Sequence, residues 1–441
     1  MIMAVLLNRK SYFCMAKRLM SASLASGLFK RAALCRLSAN AMPAAAMLVA
    51  MLISVSAQAQ GVAAAARDRV AASAAAGVAS AASEHAVSAS APGVLPVTAA
   101  RTASMPASAP VRRTFAQAPR VIGRVMPAEL GVVINTADPY SVEVGEYYVR
   151  QRQIPAAHVL RLELSTQARL SVPEFDVLKR HVDAHFGSQV QALALTWVQP
   201  YAVSCMSITA ALALGIDDEL CRSTCGKTSL SPYFNSASGQ PFRDHGFRPS
   251  MLVAAGSAAS ARQLIDRGIA ADASLGLRGA IPVDAYFMAT TDAARNVRAP
   301  MFPPPGLVPR AGVAIKLAQG DLPRGQDRLL MVQTGLAVLD GLDTLGWVPG
   351  ALGDHLTSYA GQLDQLSGQT TALAWIDSGA TASYGTVSEP CNHPQKFPDP
   401  QLVLLHYMQG STLIEAYWKS VRWPQQGVFV GEPLAAPFAR R

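Results

Sequence analysis

The sequence predicts an α/β domain whose mostly parallel β-sheet is covered by helices on both faces. From about residue 128 onward, short runs rich in Val, Leu and Ile alternate with amphipathic segments, which is the pattern of strand–helix repeats. The strand-like runs are apolar throughout, as in strands that are buried on both faces. Residues 121–441 also hold enough large aliphatic side chains to bury a sizeable core. We therefore expect a single α/β domain over residues 125–441.

The first elements are marked by helix caps as well as by periodicity. Residues 129–135 (ELGVVIN) form the first predicted strand, and Asp138 caps a helix over residues 139–151. Ser171 and Glu174 have the spacing of a capping box, which opens a second helix that reaches about residue 186. Further strands are predicted at 158–164, 192–198, 250–254, 283–288, 329–333 and 351–355, and further helices at 258–269, 362–378 and 415–421.

Two segments interrupt this alternation. Residues 204–247 contain three cysteines and little periodicity, and residues 299–325 are rich in Pro and Gly. Long connections without regular structure in a compact domain are usually functional. Both are predicted to be site-forming insertions.

The N-terminal region has the pattern of an export signal. Basic residues occur between Arg9 and Arg36, an apolar run covers residues 44–55, and Ala57-Gln58-Ala59 matches a cleavage site. The apolar run is shorter than the roughly 20 residues of a membrane-spanning helix, although an uncleaved anchor remains the alternative. We expect a signal peptide over residues 1–59, a disordered Ala/Ser/Pro-rich linker over residues 60–124, and no membrane span after cleavage. The protein is then exported to the periplasm or the extracellular space.

The overall charge of +9 belongs to this N-terminal region. Residues 1–120 contain 13 of the 38 basic and 2 of the 29 acidic side chains, which leaves 25 basic and 27 acidic side chains in residues 121–441. A nucleic-acid-binding domain needs a basic face on the folded part, so the charge argues against a nucleic-acid partner. No cofactor motif or strong metal signature is present, and we expect no cofactor.

Four cysteines lie in the body, and two others, Cys14 and Cys35, lie in the signal region. An even number in an exported chain favours two disulfides among Cys205, Cys221, Cys225 and Cys391, with three pairings open. One alternative is a zinc site that uses three of these cysteines and His393. The other is a free functional thiol at Cys205, which follows an apolar strand.

Polar side chains with catalytic chemistry collect late in the chain. Asp354, His355, Thr357 and Ser358 close a predicted strand, and ligand sites of parallel sheets lie at the carboxyl ends of strands. Carboxylate, imidazole and hydroxyl could form a nucleophile, base and orienter set. Adjacent residues of a strand point to opposite faces, so Asp354 and His355 can share a pocket only where the strand has ended.

A second polar segment follows a small-residue strand at residues 379–386. Residues 388–398 (SEPCNHPQKFP) form a Pro-stiffened loop that offers a carboxylate at Glu389 and an imidazole at His393. This loop is either part of a site or a structural loop anchored by a disulfide.

Several strings resemble an uncharacterised family of exported bacterial proteins over residues 128–438. They are DHLTSYAGQL, GATASYGTVSEPCNHPQKFP, EAYWKSV and QQGVFVGEPLAAPF. More distantly, the order of features is similar to gingipain-type cysteine peptidases. The shared features are an Ile-Pro turn after the first helix, a W-x-x-x-G-A segment from Trp375, and the terminal Gly431-Glu432-Pro433.

This second resemblance implies a caspase-like, three-layer fold. Gingipain-type peptidases place His-Gly after one strand and Cys after the next. Here Thr334-Gly335 and Thr357-Ser358 occupy those strand ends, so the His and the Cys are absent.

Two functions follow from these resemblances. A hydrolase would use His355 as base and Ser358 or Thr357 as nucleophile, with Asp354, Glu389 or His393 as orienters. The alternative is a non-catalytic envelope binding or structural protein that retains the fold.

Overall fold

The computed structural model describes residues 113–440. The predicted signal peptide and linker residues 60–112 lie outside the described residues. Residues 113–124, which the sequence assigns to the linker, make hydrogen bonds to the body. The Arg113 guanidinium donates to the carbonyl of Ala299 at 2.8 Å, and the Val121 amide donates to Gln409 Oε1 at 2.9 Å.

An 11-stranded sheet forms the centre of the described body, with the order β2-β1-β4-β7-β14-β13-β12-β11-β8-β10-β9. Its strands are β1 (Leu130–Asn135), β2 (Val159–Leu162), β4 (Ala192–Leu195), β7 (Ser250–Leu252), β8 (Val283–Ala289), β9 (Gly306–Val308), β10 (Val313–Gln319), β11 (Leu329–Thr334), β12 (Trp347–His355), β13 (Ala382–Thr386) and β14 (Gly427–Gly431). A small second sheet contains β3 (Arg169–Leu170), β5 (Ala202–Val203) and β6 (Met206–Ser207).

The sheet consists of two parallel halves that run in opposite directions. Strands β2, β1, β4, β7 and β14 are mutually parallel and form the first half. Strands β13, β12, β11, β8 and β10 are mutually parallel and form the second half, with β9 antiparallel at its outer edge. The two halves meet in the antiparallel pair β13–β14. The carboxyl ends of the strands in the first half therefore lie at the opposite end of the sheet from those in the second half. We call each row of carboxyl ends a carboxyl edge, so the domain has two carboxyl edges rather than one.

Helices cover both faces. They are α1 (Pro139–Arg152), α2 (Val172–His185), α3 (Ile208–Leu214), α4 (Asp218–Arg222), α5 (Pro241–His245), α6 (Ala258–Ala271), α7 (Ala372–Asp377), α8 (Pro400–Met408) and α9 (Leu413–Ser420). Short 3-10 helices occur at Pro127–Glu129, Ala156–His158, Asn296–Met301, Leu342–Thr344 and Pro394–Lys396. Within residues 113–440, none of the helices is long and apolar enough to cross a membrane.

The alternation of side chains along β1 shows that helices lie on opposite faces of the first half. Gly145 of α1 packs against Ile134, whereas Gly131 packs against Phe186, which follows α2. Because residues 131 and 134 of one strand point to opposite faces, α1 and α2 do so too.

The second half is covered in the same way. Trp375 of α7 packs against Gly353, and Tyr417 of α9 stacks on Tyr384 of β13 at 6.5 Å. Leu352 and Ala382 are paired in register, so Tyr384 lies on the face opposite Gly353. The predicted three-layer α/β fold with a mostly parallel sheet is therefore confirmed.

Three sequence predictions are wrong in detail. The helix predicted at 362–378 is limited to Ala372–Asp377, because Gln365 and Gly368 adopt positive φ angles of 62° and 68° that interrupt a helix. Residues 299–325 are not an irregular insertion, since they contain β9 and β10. Residues 204–247 contain three short helices, α3, α4 and α5.

Candidate functional site at the carboxyl edge of the second half

Strands β11 and β12 end side by side. Thr334 is paired with His355, and the Leu356 amide donates to the Thr334 carbonyl at 3.0 Å. This carboxyl edge therefore brings Asp354 through Ser358 next to Thr334 and Gly335.

Asp354 is part of a buried ion pair. Its Oδ1 accepts from the Arg298 guanidinium at 2.7 Å, and its Oδ2 accepts from Gln333 Nε2 at 2.9 Å. The side chains of Asp354 and Arg298 are each 2 % exposed. Tyr417 and Tyr384 lie on the same side, and the charge of Asp354 adds to the effect of burial in raising the pKa of both phenols. The Arg298 guanidinium balances the negative charge of Asp354, and the carboxylate does not face solvent.

His355 points to the opposite face and is fully buried. Its Nδ1 accepts from the Trp375 indole at 2.9 Å, and because an indole N–H only donates, the proton of the neutral ring sits on Nε2. Nε2 makes no well-formed hydrogen bond among the described residues, and the Thr370 carbonyl is the backbone acceptor close to the ring. Burial lowers the pKa of His355 to about 3; Arg298 and Arg295 act in the same direction, while the Thr370 carbonyl partly opposes them. The imidazole is neutral throughout the physiological range.

The Thr357 hydroxyl is bonded on both sides. It accepts from Arg295 Nε at 3.1 Å and donates to Gln369 Oε1 at 2.8 Å, and Thr357 is 1 % exposed. Arg295 in turn pairs with Asp292 at 2.8 Å. Ser358 is 9 % exposed; its carbonyl accepts from Thr386 Oγ1 at 2.8 Å, and its own hydroxyl makes no hydrogen bond within residues 113–440.

The segment that carries Arg295 closes over this edge because Gly335 has no side chain. A Cβ at Gly335 would lie 2.0 Å from the Arg295 carbonyl oxygen, so another residue would push the segment away. Glycine at the position that follows β11 therefore allows the two backbones to pass close to each other.

Glu389 and His393 belong to a different network. Glu389 Oε1 accepts from the Cys391 amide at 2.8 Å, and His393 Nε2 lies 3.0 Å from the carbonyl of Cys225. Lys396 of the same loop donates to the Thr224 carbonyl, and burial lowers the pKa of Lys396 to about 8, with Glu389 partly opposing. These contacts fasten the loop after β13 to the insertion between β4 and β7.

Two disulfides complete this attachment. Cys205 pairs with Cys221 inside the insertion, and Cys225 pairs with Cys391 across 166 residues of sequence. The prediction of two disulfides is confirmed, and the pairings leave no cysteine of the described body as a zinc ligand or free thiol.

The six residues proposed from the sequence therefore lie in separate networks. No hydrogen bond joins any two of Asp354, His355, Thr357, Ser358, Glu389 and His393 within the described part of the chain. Asp354 cannot orient His355, since the two lie within β12 and on opposite faces.

Sequence reasoning missed the partners that decide these environments. Arg298, Arg295 and Gln369 lie in irregular segments far along the chain from their partners, so no local pattern identifies them. Gln333 gave the one available signal, because it is a polar residue at the end of an otherwise apolar strand.

A separate cavity of about 1070 Å³ lies in the insertion. It is lined by residues 214–220, by polar residues between Ser223 and Ser229, and by Leu230, Pro232 and Gln425. Asp217, Asp218 and Glu219 contribute carboxylates, and Lys227 contributes an ammonium group. The Cys205–Cys221 and Cys225–Cys391 disulfides hold the chain on both sides of this lining.

Comparisons with known proteins add two solved structures. No protein-family model and no curated protein matches the chain. The crystal structure of the Arg-specific cysteine proteinase gingipain R (RGPB) matches with a TM-score of 0.38 and 11 % identity, covering 70 % of this chain and 78 % of that chain. The complex of Porphyromonas gingivalis RgpB pro- and mature domains matches with a TM-score of 0.38 and 9 % identity, covering 71 % and 80 %. The α/β fold class is established by the strand order of the domain itself.

Proposed function

We propose that this chain is an exported binding protein that retains a peptidase-like α/β fold without peptidase chemistry. The observation that carries the proposal is the environment of His355. A general base needs a ring nitrogen directed at the nucleophile, and here Nδ1 is occupied by Trp375 while the ring is enclosed. Thr357 supports the same conclusion, because both sides of its hydroxyl are already bonded.

The cavity in the insertion is the proposed binding site. Its volume of about 1070 Å³ is at the upper end of the range that small-molecule sites occupy. The lining is rich in carboxylates and hydroxyls, and it contains three carboxylates and one ammonium group. This balance favours a polar ligand that carries amino groups.

A hydrolase that uses Ser358 is the second candidate. One observation favours it: the Ser358 hydroxyl is not engaged in a hydrogen bond within residues 113–440, and it follows β12, where the sequence resemblance to gingipain-type peptidases leads us to expect the nucleophile. It lacks a base among its described contacts, so we rank it below a binding function.

Labelling with a fluorophosphonate probe separates the two candidates. For a binding protein we expect no covalent adduct on the purified full chain and the same result for Ser358→Ala. An adduct on the native chain that disappears in Ser358→Ala would reinstate the hydrolase.

Ligand binding is tested with spermidine as an amine probe. We expect spermidine to raise the melting temperature of the native protein and to raise that of Asp218→Asn/Glu219→Gln much less, since both side chains line the cavity and are exposed. The matched control is Glu163→Gln/Asp176→Asn, which removes two exposed carboxylates outside the lining. An equal response of both double variants would contradict the assignment of this cavity.

A further inference from the structure

A second groove, independent of the proposed binding cavity, lies where β8 and β10 begin. Two adjoining hollows of about 490 and 480 Å³ share Arg310, Ala311, Met408, Phe438 and Arg440 in their walls. Arg120 lines one of them, and Leu275 and Leu277 line the other. A smaller hollow of about 180 Å³ continues the groove past Arg440 to Arg124. This arginine groove combines a basic rim with an apolar floor.

The floor of the arginine groove is held in place by the backbone. The Ala273 amide donates to the Ala436 carbonyl at 3.0 Å, and the Leu275 amide donates to the Pro437 carbonyl at 2.9 Å. Phe438 packs edge-on against Tyr407, with ring centroids 5.8 Å apart. The apolar surface is therefore preformed, while Leu277 at its margin is 59 % exposed.

The arginines of the rim have no hydrogen-bond partner among residues 113–440. Arg120, Arg310 and Arg440 are exposed, and no carboxylate or carbonyl of residues 113–440 accepts a hydrogen bond from them. The one carboxylate among the described lining residues is Asp272, and it is already bonded to Arg152. Three unpaired guanidinium groups around one groove favour an anionic occupant, and guanidinium groups bind phosphate oxygens in pairs.

The N-terminal part of this chain does not fit that description. Residues 1–112 contain 11 basic and only 2 acidic side chains, so like charges would oppose their entry. An occupant that carries both a phosphate and an apolar portion matches the rim and the floor together.

We propose that the arginine groove binds the phosphate of an anionic phospholipid through Arg120, Arg310 and Arg440, and part of its acyl chain along Phe438, Met408 and Leu277. This is a peripheral attachment to a lipid surface and requires no membrane-spanning segment. It does not depend on the function proposed for the cavity in the insertion.

Vesicle binding of the full chain tests the proposal. We compare vesicles of phosphatidylcholine with vesicles of equal parts phosphatidylcholine and phosphatidylglycerol. The variant Arg120→Gln/Arg310→Gln/Arg440→Gln should bind the anionic vesicles about a hundredfold less than the native chain, since each basic side chain at an anionic surface contributes about fivefold. The control Arg180→Gln/Arg222→Gln/Arg243→Gln removes the same charge from exposed positions outside the groove and should lose far less. The basic N-terminal region is common to all three proteins and cancels.

Other outcomes overturn the proposal. Equal losses in the two triple variants, or no preference of the native chain for anionic vesicles, would remove the groove as the site. A short-chain phosphatidylglycerol should displace the vesicles more effectively than inorganic phosphate, because only the lipid reaches the apolar floor. Equal competition by inorganic phosphate would indicate a phosphate site alone, and stronger competition by polyglutamate would reassign the groove to an acidic protein.

Discussion

Each carboxyl edge of the sheet contains a buried arginine–carboxylate pair, and the two pairs have different surroundings. At the edge of the first half, Glu432 follows β14 and accepts from Arg152, from the Tyr148 hydroxyl at 2.7 Å and from the Leu434 amide at 3.3 Å. Arg152 also pairs with Asp272, so each of the charged groups in this network has a partner of opposite charge.

At the edge of the second half the pair is less complete. Asp354 accepts from Arg298 and Gln333, and Arg298 Nε and Gln333 Oε1 have no partner among the described residues. The nearby Thr334 hydroxyl and His355 Nε2 also make no well-formed hydrogen bond among these residues. Buried polar groups are nearly always paired where stability alone is optimised. The polar groups around Glu432 are therefore paired, whereas the second edge retains buried polar groups without partners among the described residues.

Removing the disulfide between the halves should have the largest effect. Cys225 lies in the insertion of the first half and Cys391 follows β13 of the second, so this bond joins the two regions. Cys225→Ala/Cys391→Ala should lower the free energy of unfolding by about 5 kcal/mol, and Cys205→Ala/Cys221→Ala by about 3 kcal/mol, because the closed loops span 166 and 16 residues. Denaturant unfolding measures both. Equal losses of unfolding free energy would show that the Cys225–Cys391 disulfide, although it joins the two halves, does not restrict the unfolded chain as its long loop predicts.

Substituting the arginine of each ion pair tests whether the two edges differ. Arg298→Met and Arg152→Met should each cost about 3–5 kcal/mol, since each leaves a buried carboxylate without its cation. The double variant Arg298→Met/Asp354→Leu should recover part of its loss, because it removes the unpaired carboxylate but leaves Gln333 Nε2 and the Pro398 carbonyl without their native partners. Arg152→Met/Glu432→Leu should recover little of the lost unfolding free energy, because it leaves the Tyr148 hydroxyl and the Leu434 amide without an acceptor.

Together with the native protein and the single variants Asp354→Leu and Glu432→Leu, these proteins form two double-mutant cycles, and denaturant unfolding measures their free energies of unfolding. Equal recovery at both edges would contradict the distinction between a closed and an incomplete network.

The sequence predicted the individual strands better than their common arrangement. Strands such as β1 and β11 are continuous apolar runs, and such runs identify buried strands from local pattern alone. The reversal of direction between the halves depends on the pairing of β13 with β14, which local pattern does not encode. The surroundings of the candidate site could not be predicted for the same reason: Trp375 and Arg298 are the hydrogen-bond partners of His355 and Asp354, and both come from distant segments.

The smallest expected effect is a change in the acid dependence of stability at the second edge. The pKa of His355 is lowered to about 3 in the folded protein, against about 6.5 for an unfolded chain. Between these values the unfolded state binds a proton that the folded state does not, so stability is lost as the pH falls from about 6.5 toward 3. His355→Gln keeps an acceptor for the Trp375 indole but does not titrate, and its slope should be shallower by up to about 1.4 kcal/mol per pH unit.

His406 contributes its own acid slope, since burial lowers its pKa to about 3, and it is present in both proteins. The groups around Glu432 include no histidine among the described residues, so the first edge adds no such difference. Urea unfolding from neutral pH down to about pH 4 measures the slopes. Identical slopes for the native protein and His355→Gln would mean that the imidazole can take up a proton within the folded domain, and the second edge would then be open rather than enclosed.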